Sequence, residues 1–129
     1  MLTAMSAALV SDAGRPPLYF DLAEARDGTG WKANAAVVAK WDEHSPLLMV
    51  SRYRGNMLRM RAIQLDIGLQ DKNVPPREIM ALDTAFVRAG IPHVLETYAG
   101  NHFNRVPERL ATRVLPFFSR NLVFEGQKE

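Results

Sequence analysis

The sequence contains no cysteine. Disulfides, thiolate nucleophiles and cysteine-ligated metal centres are therefore excluded, and stability must come from packing. No apolar run approaches the ~18 residues of a membrane span. The opening MLTAMSAALVSDAG has no basic stretch ahead of its short apolar segment, so a signal peptide is not expected and the cytoplasm is the default location. Charge of one sign is also scarce. Sixteen Lys and Arg against fourteen Asp and Glu leave a net charge of +2, too little to imply a nucleic acid or an anionic membrane as partner. The three histidines, His44, His93 and His102, lack metal-ligand spacing, so neither a metal nor another cofactor is expected.

What is present is an ordinary globular composition, 47% hydrophobic and 23% charged, which predicts a single domain over residues 1–129. Residues Thr3 to Val10 are small and apolar and run into Ser-Asp-Ala-Gly, which reads as a short buried strand ending near Ser11. Arg15 to Gly30, with Pro16-Pro17 and a Gly28-Thr29-Gly30 turn, reads as an irregular excursion. Trp31 to Glu43 places Ala35, Val38 and Trp41 at helical spacing, and Ser45-Pro46 opens a second helix through Tyr53. The arginine-rich stretch Arg52 to Arg61 reads as a solvated loop rather than a nucleic-acid contact.

The second half is more regular. Ile63, Leu65 and Ile67 alternate with less apolar neighbours and predict a strand ending at Gly68. Pro75-Pro76 introduces a helix from about Arg77 to Ala89, with Ile79, Leu82, Phe86 and Val87 assigned to one face and Gly90 as its stop. His93 to Ala99 is rich in β-formers, with His93 expected to be partly exposed, and a last helix is predicted from about Pro107 to Asn121. Strand, helix, strand and helix at these lengths predict parallel strands. With the first strand included, the expected fold class is α/β, about three parallel strands with helices on both faces.

This order places two reactive groups together. Asp71 follows the strand ending at Gly68, and His102 follows the strand ending near Ala99. In a parallel sheet both strand ends lie on one edge, where ligands bind in open α/β folds. A carboxylate accepting from one imidazole nitrogen fixes the tautomer and frees the other nitrogen as a general base toward a hydroxyl. Acid before base on successive strands is also the order found in α/β-hydrolases.

The stretch IQLDIGLQDKNVPPREIMALDTAFVRAGIPHVLETYAGNHFNRVPERLATRVLPFFSRNL resembles the C-terminal part of the esterase family of α/β-hydrolases that includes S-formylglutathione hydrolase and feruloyl-esterase-like enzymes. The resemblance lies in a strand followed by Gly-x-x-Asp, a helix, Ala-Gly-Ile, a strand ending in Tyr, Gly-x-His, and a helix ending in a phenylalanine-rich turn. It extends from about Trp41 to Phe124. It implies Asp71 as triad acid, His102 as triad base, and a small ester or thioester as substrate.

The family's serine sits in a Gly-x-Ser-x-Gly elbow, and none of Ser6, Ser11, Ser45, Ser51 and Ser119 has glycines at both flanking positions. By the resemblance, the elbow would precede Met1. Within the chain Ser11 is the candidate substitute nucleophile, since a strand ending there would share an edge with Asp71 and His102. The alternative is a non-catalytic hydrolase remnant that serves as a scaffold and binds a partner. An uncharged first strand with an open edge further predicts a homodimer.

Overall fold

A computed structural model describes residues 2–123. The chain divides into two compact units that meet in sequence between Met49 and Val50. Phe124, at the end of the stretch that carries the family resemblance, lies outside the described residues.

The first unit corrects the expected opening strand. Leu2–Leu9 is a helix, α1, and the backbone N–H of Val10 still bonds to Ser6 O at 2.9 Å. Leu, Ala and Met are strong helix formers, and an apolar run this short has no periodicity that separates a strand from a buried helix. Ser6 is fully buried within this helix. Ser11 follows α1 in a lone antiparallel bridge with Phe20. The open strand edge from which a dimer was expected is thereby removed.

The excursion after Ser11 contains a hairpin. Strands β1 (Glu24–Asp27) and β2 (Gly30–Ala33) pair antiparallel around Gly28-Thr29, from Glu24↔Ala33 to Asp27↔Gly30. Gly30 has φ +142°, which favours glycine. Asn34 then caps helix α2 (Ala35–Glu43), its side chain accepting from the Val37 N–H at 3.4 Å. This cap starts the helix later than the expected Trp31. Val37, not Val38, is the buried valine, and it packs with Val10, Ala23 and Trp41.

Helix α3 (Pro46–Met57) opens on its proline as expected but runs past Tyr53. The arginine-rich stretch therefore begins in a helix, not in a loop. Arg54 Nε donates to Ala89 O at 2.6 Å, satisfying a carbonyl at the end of the next helix.

The second unit is built on two parallel strands, β3 (Gln64–Gly68) and β4 (Val94–Tyr98), paired from Gln64↔Val94 through Gly68↔Tyr98. Two strands, not three, form the parallel sheet among the described residues. Helix α4 (Pro76–Ala89) connects them and ends at Gly90, whose φ of +64° is the left-handed conformation that closes a helix. Ile63 and Leu65 pack under Val50, Phe86 and Ile91, together with Leu82 and Ala85. Val87 does not share that face and is 66% exposed.

The opposite face of the strand pair is charged. Asp66 and Glu96 are register partners there. The final helical run covers them as α5 (Val106–Arg109), a π-helical segment (Leu110–Val114) and α6 (Leu115–Asn121). Pro116 has no N–H to give to the preceding turn, and a π-helical segment ahead of it is one way a helix accommodates that loss. Among the described residues no helix is long and apolar enough to cross a membrane.

Candidate active site

Asp71 and His102 lie on loops that leave the same end of β3 and β4. The two chains stay tied beyond the strands: Leu69 N–H bonds to Tyr98 O at 2.8 Å and Gln70 N–H to Gly100 O at 2.9 Å. This close approach requires glycine. A Cβ on Gly68 would lie 2.4 Å from Gly100 O.

Each loop is then fixed by its own side chains. Asp71 Oδ1 accepts from the N–H groups of Asn73 at 2.8 Å and Val74 at 2.9 Å, an Asx-type turn. Asn101 Oδ1 accepts from the N–H groups of Phe103 at 2.9 Å and Asn104 at 3.0 Å, and Asn104 Oδ1 accepts from Asn101 N–H at 2.8 Å. The ring of Phe103 meets that of His102 edge to face, with centroids 4.8 Å apart.

The two expected residues meet directly. His102 Nδ1 donates to Asp71 Oδ2 at 2.8 Å. Asp71 is only 8% exposed, so it is a buried acid rather than a surface one. The Val74 N–H and the His102 ring, outweighing desolvation, hold its carboxyl below the ordinary carboxylate range. An ionised carboxylate can only accept, so Nδ1 carries a proton, and in the neutral form of the ring Nε2 is bare. The His102 side chain is 40% exposed, and no described residue bonds to Nε2. It lines a cleft of about 380 Å³ with Gln70, Lys72, Asn73, Asn101 and Phe103.

His93 forms a contrasting pair with a different character. Its Nδ1 donates to Ile91 O at 2.8 Å and its Nε2 to Asp83 Oδ1 at 2.9 Å. His93 as a residue is partly exposed, as expected, while its side chain is 7% exposed and the ring meets Phe86 edge to face. The Ile91 carbonyl, with Asp83, favours the proton and raises the His93 pKa. With a carbonyl and a carboxylate as partners of its two nitrogens, the ring is set up to favour its protonated form, and neither nitrogen faces solvent as a bare base. His44 Nδ1 is likewise engaged, to Lys40 O at 2.9 Å.

Ser11, the candidate substitute nucleophile, is exposed in the first unit and follows a helix. It does not end a parallel strand, so the geometric reason for choosing it is gone. No cluster of metal-ligating side chains occurs among the described residues.

Sequence reasoning missed an ion network on the strands that lead to the pair. Arg109 is 9% exposed. Its Nη2 bonds to Asp66 Oδ1 and, at 2.5 Å, to Glu96 Oε2, while Nε reaches Asp66 Oδ2 at 3.1 Å. Its guanidinium lies 4.7 Å from the centre of the Tyr98 ring. Hydrogen bonds to Asp66 and Glu96 raise the Arg109 pKa further above its already basic value. The available signal was a carboxylate at the third position of both strands, which becomes a pair only once the register is known.

No protein-family model matches the chain, and no curated protein matches it.

Proposed function

We propose that Asp71 and His102 are the acid and base of an ester-hydrolysing site of the α/β-hydrolase type, acting on small carboxyl esters or thioesters. The observation that carries this reading is the 2.8 Å contact between His102 Nδ1 and a buried, ionised Asp71, with Nε2 left bare beside a cleft. Nε2 would take the proton of a serine hydroxyl as its oxygen attacks the ester carbonyl. Asp71 would stabilise the imidazolium formed, and that proton would pass to the leaving alkoxide or thiolate. Water activated by the same nitrogen would then release the acid from the acyl-enzyme.

A second reading, favoured by the lack of a hydroxyl on Nε2 among the described residues, is a hydrolase-derived scaffold that binds a partner or a second copy of itself. Hydrolysis of 4-nitrophenyl acetate and of a short acyl thioester separates the two. The enzymatic reading expects turnover that falls by about a hundredfold or more in His102→Ala, the usual worth of a general base. Ser11→Ala tests the substitute nucleophile in the same assay. Equal background rates in the parent chain and His102→Ala, with self-association in light scattering, would leave the scaffold.

A further inference from the structure

The walls of the cleft beside His102 are unequal in charge. Lys72 is its one cationic lining residue, Gln70, Asn73 and Asn101 bring amides, Phe103 brings an aromatic ring, and none of the lining residues is acidic. Asp71, bonded to the lining residue His102, is buried and its two oxygens are committed to Asn73, Val74 and His102.

The free hydrogen-bonding groups are mostly donors. Among the described residues Lys72 has no ion-pair partner, and the side-chain amides of Gln70 and Asn73 have no partner. Asn101 Oδ1 is taken by two backbone N–H groups, which leaves its NH₂ group to act outward. Both loops are pinned by their Asx-type bonds, so the backbone that carries these donors has a fixed course. A volume of about 380 Å³ is at the small end of ligand sites.

Resting on the hydrolytic reading, we infer that this cleft selects a small ester bearing a carboxylate, such as a monoester of a short dicarboxylic acid. Lys72 pairs with that carboxylate, the amides of Gln70 and Asn101 add neutral donors, and the ester carbonyl lies toward Nε2 of His102. A neutral ester of the same size leaves Lys72 unpaired and keeps only the weaker neutral hydrogen bonds to the amides and the apolar contact with Phe103.

Two measurements test this. In kinetics, the ratio of kcat/KM for 4-nitrophenyl hydrogen succinate over 4-nitrophenyl acetate should exceed one. It should fall about five- to tenfold in Lys72→Met, recover in part in Lys72→Arg, and shrink in the parent chain at high salt, as a half-solvated charge pair requires. Lys32→Met, on β2 of the first unit, should keep the ratio.

In binding, amide signals of Lys72 and Asn101 should shift on titration with monomethyl succinate. Dimethyl succinate should shift them far less, and Lys72→Met should weaken the monoester about five- to tenfold. Ester hydrolysis without charge preference, together with equal shifts by both succinates, overturns this assignment and leaves the hydrolytic reading standing. Charge-dependent shifts without hydrolysis overturn the hydrolytic reading and keep the cleft as an anion site.

Discussion

Asp66 and Glu96 stand directly opposite each other in the β3–β4 register, and Arg109 bonds to both. Like charges placed opposite in a sheet repel, so the Arg109 guanidinium, joined by Arg113 Nε at 3.1 Å from Glu96 Oε2, offsets the two carboxylates on this face. Replacing Arg109 by Met should cost toward the lower end of the roughly 3–5 kcal/mol typical of a broken buried pair. The lower end applies because the two carboxylate side chains stay 23% and 31% exposed. Urea unfolding measures it, and Asp66→Asn added to Arg109→Met should restore part of the loss. A midpoint unchanged by Arg109→Met would show that water, together with Arg113 on Glu96, already satisfies both carboxylates.

The two oxygens of Asp71 have separate tasks, so two substitutions should separate them. Asp71→Asn retains an oxygen for the N–H groups of Asn73 and Val74 but turns an NH₂ toward His102, which moves the ring proton to Nε2 and removes the base. It should lower activity while largely preserving the fold. Asp71→Ala should lose both activity and thermal stability. The depressed pKa adds a pH signature: the stability from the ionised carboxyl is present above its unfolded pKa near 3.8 and is lost as pH falls through the lower folded value. The acid limb of a melting-temperature profile should therefore flatten in Asp71→Asn.

His93 should have the opposite sign. Its pKa is raised above 6.5, so the stability from the charged ring is complete below pH 6.5 and is lost as pH rises through the folded value. Urea midpoints between pH 6 and 9 should decline in the parent chain and stay flatter in Asp83→Asn. A proton titration of the His93 ring, followed by NMR, should have its midpoint above 6.5, and a midpoint below that value would contradict the buried imidazolium.

Gly68→Ala should damage the site more than its small size suggests. The new methyl would sit 2.4 Å from Gly100 O, a backbone atom, so the loops carrying Asp71 and His102 must separate. A weakened His102–Asp71 bond should appear as upfield movement of the Nδ1 proton resonance, alongside reduced hydrolysis. An unmoved resonance in a folded Gly68→Ala protein would show that the strands part without disturbing the pair.

The second unit was largely legible in the sequence because its signals are strong and local. Pro75-Pro76 and Gly90 mark both ends of α4, Ile63, Leu65 and Ile67 alternate, and Asp71 and His102 each follow a strand. The first unit was not. Residues 3–9 read as apolar strand or apolar helix with equal ease, and the tie was broken by Ala, Leu and Met content that favours a helix. Ser11 was misplaced as a direct result. Arg109 was hidden for another reason: its partners lie 43 and 13 residues away, and no local pattern links a helix arginine to carboxylates on two strands. The His93–Asp83 pair likewise needs the fold to bring α4 beside the start of β4.

The turn that Asp71 builds with Asn73 and Val74 bears on how such a chain changes over generations. Were selection on the proposed hydrolysis relaxed, the acid would still be retained by the loop it shapes, whereas the 40% exposed His102 side chain has one hydrogen bond to lose among the described residues. In drifting descendants the imidazole should disappear first and the aspartate persist. An aspartate at this turn would then record ancestry, and the histidine beside it would be the better marker of chemistry still under selection.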